Sequence, residues 1–162
     1  MVGHPPLRED IVKRSVLLAA AVSASMLFSA SLAWGAGGTA AEARALLEKA
    51  IAELKANEAA ALAKFNKPDG GYRDRDLYVF CYDTTTGTVT AHADPGQMGL
   101  DVRALKEKDG TPLGQRMFDR NRAGTISSIE YKYPRPGTSE PLPKESFLAV
   151  VGHQGCGVGY YK

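Results

Sequence analysis

Cys81 and Cys156 are the only cysteines of this 162-residue chain. Three chemistries are open to such a pair: a structural disulfide, two buried thiols, or a redox couple. The redox reading lacks the Cys-x-x-Cys spacing that depresses a thiol pKa. His153 stands three residues before Cys156, with Cys81 and His92 further off. Two cysteines and two histidines are chemically adequate for zinc, but a single His-x-x-Cys is a weak metal signature. Gly155-Cys156-Gly157-Val158-Gly159 has the texture of a phosphate loop, yet only Tyr160, Tyr161 and Lys162 follow. No helix N-terminus is then available to hold a phosphate. Asp69, Asp74 and Asp76 do not match a calcium loop. Arg73 and Arg75 interleave with them, which reads as a solvated charge cluster. No nucleophile elbow, zinc-protease motif or acid pair is present, so no catalytic residue, metal or cofactor is expected.

The aromatic residues are more informative. On a strand, side chains alternate between faces, so Tyr78, Phe80 and Tyr82 share one side and Leu77, Val79 and Cys81 the other. Gly157, Gly159 and Tyr161 likewise oppose Cys156, Val158 and Tyr160. If these two segments pair, missing side chains beside large rings leave a concavity. Apolar walls with a few hydroxyls are the usual composition of a ligand site. Tyr131 and Tyr133 share a face of another segment and could add donors. Lys144 or a nearby arginine could neutralise a carboxylate, and His92 could donate a hydrogen bond. The plainer alternative is that the rings fill core volume and Lys144 is solvated.

What must position these residues is an exported domain. Arg8, Lys13 and Arg14 precede a charge-free stretch, residues 15–41, whose apolar part ends at Ala33-Trp34-Gly35-Ala36. A basic flank, an apolar middle and a small-residue exit make residues 1–35 a secretory signal peptide. Cleavage is expected after Gly35, with Ala33 and Ala36 as neighbouring options; an uncleaved membrane anchor is the alternative. Its removal lowers the formal net charge from +2 to +1. So balanced a surface, without a basic stripe, excludes a nucleic-acid binder.

Thr39-Ala40-Ala41-Glu42 reads as a capping box. Apolar spacing then predicts one long helix of about 26 residues, ~39 Å, ending at Asn66-Lys67-Pro68-Asp69-Gly70-Gly71. Strands are expected over residues 77–82, 88–93, 125–133, 146–151 and 156–161. Short helices at 100–106 and 113–121 form an insertion, and a proline-dense loop (Pro134, Pro136, Pro141, Pro143) precedes the fourth strand. One helix followed by mostly adjacent strands reads as α+β with an antiparallel sheet.

These residues resemble the single-Cache domains, extracytoplasmic relatives of the PAS fold. The resemblance is carried by the long helix, by Phe65-Asn-Lys-Pro-Asp-Gly-Gly71 and Asp76-Leu-Tyr-Val-Phe-Cys-Tyr-Asp83, and by Thr90-Ala-His92 with Pro95. Asp109-Gly110, Tyr131-Lys-Tyr-Pro134, Lys144-Glu-Ser-Phe147 and Cys156-Gly-Val-Gly-Tyr-Tyr161 add to it. It implies a long N-terminal helix packed on a five-stranded antiparallel PAS-like sheet over residues 36–162, with the first and last strands adjacent. It also implies a pocket for a short organic acid on the sheet face opposite the helix. With those strands adjacent, Cys81 and Cys156 can face the same side, and an oxidising compartment would join them. That disulfide would close about 75 residues, worth ~4 kcal/mol in the chain-entropy model.

The expected function is therefore a periplasmic or secreted small-molecule binding module. Its expected ligand residues are Tyr78, Phe80, Tyr82, His92, Tyr131, Tyr133 and Lys144. Better-known members carry a cytoplasmic transmitter, whereas here Lys162 follows the last strand directly, so a membrane receptor or kinase is the expected partner. The alternative is a structural or accessory protein whose Cache-like sheet has no open pocket.

Overall fold

The structure is a computed structural model that describes residues 37–121 and 124–162; the signal peptide expected over residues 1–35 lies outside the described residues. Thr39 closes the N-terminus of α1 (Ala40–Ala56) reciprocally, its hydroxyl accepting from the Glu42 amide while the Glu42 carboxylate accepts from the Thr39 amide. Ala43, Leu47, Ala50 and Leu54 form the buried stripe.

The expected single helix is in fact two. Asn57 adopts extended geometry, φ −163°, and serves both neighbours. Its amide donates to the Glu53 carbonyl to finish α1, and its side-chain oxygen accepts from the Ala60 amide to begin α2 (Glu58–Phe65). Asparagine competes for backbone groups inside a helix and is at its best at a cap, so an alanine-rich flank did not carry the helix through it. Beyond the break, Ala61 and Phe65 stay buried, and Phe65 meets Tyr72 edge-on with centroids 4.5 Å apart.

The strands are β1 (Arg73–Asp74), β2 (Leu77–Asp83), β3 (Val89–Ala91), β4 (Ser127–Pro134), β5 (Pro141–Val151) and β6 (Gln154–Tyr161). They form one antiparallel sheet in the order β1-β2-β6-β5-β4, with β3 also paired to β2. The two-residue β1 is the addition to the five expected. β5 begins earlier than expected, taking in Pro141 and Pro143. Lys144 is the residue that pairs with Tyr161 near the end of β6, so beyond it only the Pro143 carbonyl is met on that side, by the Lys162 amide at 3.0 Å, and residues 141–143 otherwise pair with β4 alone. At such an edge a missing proline N–H costs nothing.

As expected, the first long strand and the last are neighbours. Phe80 lies opposite Gly157 and Cys81 opposite Cys156, where the disulfide joins Cα atoms 4.1 Å apart. Sheet alternation then divides the core. Leu77, Val79, Cys81, Cys156 and Val158 pack under α1 and α2. Tyr78, Phe80, Ile129, Tyr131 and Leu148 face the other way, against Leu113 and Met117 of the insertion. That insertion holds α3 (Gly114–Arg120) and two single 3-10 turns, Pro95–Gln97 and Val102–Ala104; the second stands where a longer helix was expected. Glu107 ties the insertion to β4, accepting from the Lys132 amide at 2.8 Å and pairing with Arg116 at 2.8 Å.

The glycines of β6 are where the concavity was expected, and there the space is already taken. A Cβ on Gly157 would stand 2.5 Å from Phe80 Cζ and 2.9 Å from the Phe147 carbonyl oxygen. One on Gly159 would stand 2.4 Å from Lys144 Cε, and one on Gly155 2.6 Å from the Tyr82 ring. Each glycine thus lets a large neighbour lie flat on the sheet, rather than leaving a void. Because backbone cannot yield as a side chain can, Gly157→Ala is expected to cost about 2 kcal/mol by overpacking. Thermal denaturation should record a fall in Tm of about 5–10 °C.

Candidate functional site

The open space lies one layer further out, between the flattened rings and the insertion. It is a cavity of about 340 Å³ walled by Tyr78, Phe80 and Tyr82 of β2, His92, residues of the insertion including Val102, Leu105, Leu113 and Met117, and Tyr131 and Tyr133 of β4. A second, more open cleft of about 750 Å³ adjoins it; Tyr78, His92, Leu105, Lys106 and Tyr133 line both. Arg73, Arg75 and Arg135 line the outer cleft alone.

Six of the seven residues singled out in the sequence therefore meet at one cavity, but they are not equivalent there. The Tyr82 hydroxyl accepts from Asn121 Nδ2 at 2.9 Å and donates to the Met117 carbonyl, pinning the end of α3 to the sheet. The Tyr131 hydroxyl shares a 2.7 Å hydrogen bond with Ser146 Oγ. Phe80 contributes its ring. Tyr78, His92 and Tyr133 remain as polar groups at the junction of the two spaces, where Lys106 also stands.

The seventh, Lys144, is not at the cavity wall but behind it, and it is not solvated. It is only 1% exposed. Its Nζ donates to Tyr78 Oη at 3.2 Å and to Tyr161 Oη at 3.4 Å, and stands 4.6, 4.7 and 5.6 Å from the ring centroids of Tyr78, Tyr161 and Tyr133. Among the described residues no carboxylate forms an ion pair with it. Burial lowers its pKa to about 8, partly offset by the charge of Asp76. Because the ammonium donates to the Tyr78 oxygen, the Tyr78 proton is left to point elsewhere. A charged donor on that oxygen polarises the O–H and strengthens it as a donor in turn.

His92 is held on its backbone side by Asn66, whose Oδ1 accepts from the His92 amide at 3.2 Å, and by Arg73, which donates to the Ala93 and His92 carbonyls. Its Nδ1 accepts from the Asp94 amide at 2.9 Å. Burial lowers its pKa to about 4, so at neutral pH the ring is uncharged and carries its proton on Nε2. The Tyr78 ring meets it edge-on at 5.1 Å.

Arg73 and Asp76 were read in the sequence as part of a solvated cluster; that holds only for their neighbours. Arg75 is exposed and pairs with Asp74 and Glu42. Arg73 instead braces His92. Asp76 is largely buried, accepting from the Gly38 amide at 2.6 Å and lying 3.7 Å from Arg135, which in turn covers the Tyr161 ring at 4.9 Å. A line of polar contacts thus runs from Asp76 through Arg135 and Tyr161 to Lys144. The two-residue period around Arg73 was the available signal: it places Arg73 and Arg75 on one side of the chain and Asp74 and Asp76 on the other, but it does not say which of them tertiary structure covers. His153 sits in the exposed β5–β6 turn. Among the described residues no group of three or more His, Cys, Asp or Glu side chains is placed to hold a metal, and no helix is long and apolar enough to cross a membrane.

No protein-family model matches the chain. It is 27% identical over 86 residues to the methyl-accepting chemotaxis protein McpP of Pseudomonas putida KT2440, a match covering 53% of this chain but only 16% of that protein. In structure it is similar to a methyl-accepting chemotaxis protein from Vibrio parahaemolyticus (TM-score 0.61, 21% identity, 75% of this chain and 86% of that one). It is also similar to a periplasmic sensor domain of a chemotaxis protein (TM-score 0.54, 25% identity, 73% and 86%). A third neighbour is a Cache chemosensory domain solved to explain carboxylic acid recognition (TM-score 0.54, 21% identity, 72% and 84%).

Proposed function

Starting from a chain with the PAS-like single-Cache fold of chemoreceptor sensor domains, we propose that it is an extracytoplasmic sensing module that takes up a small carboxylate. The observation that carries this reading is Lys144, a buried ammonium without a carboxylate partner among the described residues, set directly behind the cavity wall. An unpaired buried charge is costly, and a ligand anion at the junction would offset that cost. Tyr78 O–H, His92 Nε2–H and Tyr133 O–H would be the hydrogen-bond donors, with Lys144 supplying the charge through Tyr78. Phe80, Tyr82 and Tyr131 would shape the space. This is binding chemistry, without a nucleophile or acid–base pair, and accords with neighbours that are sensor domains rather than enzymes.

Export through residues 1–35 to the periplasm or outside the cell agrees with the Cys81–Cys156 disulfide, which an oxidising compartment preserves. Residues 36–162 would be the sensing domain, and a membrane receptor or kinase its partner. The structural reading needed a sheet with no pocket; the space beside Gly157 and Gly159 is filled, but an open cavity persists beyond it.

Isothermal titration against a panel of carboxylates tests the proposal. Lys144 is charged below about pH 8 and His92 stays neutral down to about pH 4. Affinity should therefore be level from about pH 5 to 8 and fall about tenfold per pH unit above 8. Absence of saturable binding across the panel, or affinity that rises above pH 8, would sink it.

A further inference from the structure

The two adjoining spaces differ in character in a way that bears on ligand size. Residues shared by both, chiefly Tyr78, His92 and Tyr133, hold the uncommitted hydrogen-bonding groups. The inner part extends from them towards Gln97, Leu100 and Asp101, and most of its walls are the apolar side chains of residues such as Phe80, Val102, Leu113 and Met117, beside the tyrosines whose hydroxyls are already bonded. Asp101 also touches it, but its carboxylate is paired with Arg103 at 2.7 Å and accepts from the Arg103 amide. Anion-binding groups thus stand at one end and hydrocarbon at the other.

The volume decides what suits that end. An apolar cavity of about 150 Å³ is enough to take benzene, and this one measures about 340 Å³. Acetate or propionate would bind its carboxylate at the junction and leave most of the chamber to water against apolar walls. We infer that the ligand is a monocarboxylate with a ring-sized or comparably bulky apolar tail, its head at Tyr78 and His92 and its tail against Leu113 and Met117. This rests on the carboxylate reading proposed above and narrows the ligand class. A second carboxylate reaching Leu113 and Met117 would meet mainly hydrocarbon and the like charge of Asp101, with the Gln97 amide as the added polar group on that side, so dicarboxylates are disfavoured.

Titrating the full chain with acetate, propionate, phenylacetate and succinate provides the test. Phenylacetate is expected to bind at least about a hundredfold tighter than acetate, the gain following the apolar area removed from water, and succinate no tighter than acetate. Val102→Phe should weaken phenylacetate at least about tenfold while leaving acetate within about threefold; Leu105→Phe, at the cavity's edge, is a second filling variant, and thermal melts check that both fold. Acetate binding as tightly as phenylacetate, or tail-independent effects of both filling variants, overturns the size inference and leaves the carboxylate proposal standing. If no acid binds at all, the proposal beneath it fails as well. Should neither variant fold, the wild-type series decides alone.

Discussion

Lys144→Met should abolish carboxylate binding and at the same time leave the protein as stable as before or more so. The two halves have one cause. The Lys144 pKa is lowered from 10.5 to about 8, so the folded state holds the charged amine less readily than the unfolded chain does. Such a group adds stability only above its unfolded pKa and loses it as pH falls through its folded one. Between pH 10.5 and 8 the benefit drains away, and at neutral pH the charge costs on the order of 3 kcal/mol. The three surrounding tyrosine rings return part of this through cation–π attraction, at about 0.5–2 kcal/mol for a well-placed contact. Methionine keeps the unbranched shape across Gly159, against which the lysine stem lies, and carries no charge to desolvate.

The expected result is a Tm at pH 7 unchanged or raised by several degrees, with affinity for any carboxylate reduced at least about a hundredfold. A diagnostic accompanies it: wild type gains stability between pH 8 and 10, and the variant does not. Retained binding, or a Tm lowered by 5 °C or more, would mean that Lys144 is a structural residue that the fold needs charged.

Lys144 also illustrates what a sequence can and cannot disclose. The alternation around Phe80 and Gly157 was readable because a strand has a period of two: once β2 and β6 are neighbours, one correct pairing places every side chain of both on its proper face. The Thr39–Glu42 capping box was readable because both partners lie within one turn. Lys144 and Tyr78, however, are 66 residues apart, and no local pattern reports that a lysine stem will lie across Gly159 rather than extend into solvent. The same limit displaced the cavity. Alternation correctly located the missing side chains of β6, but whether a ring stands up beside a glycine or lies down over it depends on what the insertion presses onto it. The insertion itself has little periodicity to read, being built from two aspartate-capped single turns and the seven-residue α3. Asn57 is the converse case, a local signal that prevailed over its setting: helical spacing continues through it, and only its capping preference marks the break.

The disulfide carries the second large effect. Replacing Cys81 and Cys156 together by alanine removes a link between residues 75 apart, worth about 4 kcal/mol in the chain-entropy model. A domain of this size has only about 5–15 kcal/mol of net stability, so the Tm should fall by about 15 °C. Both cysteines are 1% exposed and sit under α1, out of reach of a reductant while the protein is folded. Millimolar dithiothreitol at 25 °C should therefore leave the native protein oxidised for hours, yet lower its Tm to that of the double variant once heating exposes the link. Below that Tm, phenylacetate affinity should change by less than about threefold, because the sulfurs lie on the helix side of β2 while Tyr78 and Phe80 face the cavity from the other. A double variant melting within 2 °C of wild type would show that the β2–β6 ladder already supplies what the link was thought to add. If the large drop is found, the chain reaches full stability only where disulfides persist, and the same bond that secures the wall of the cavity makes that wall dependable only outside the reducing cytoplasm.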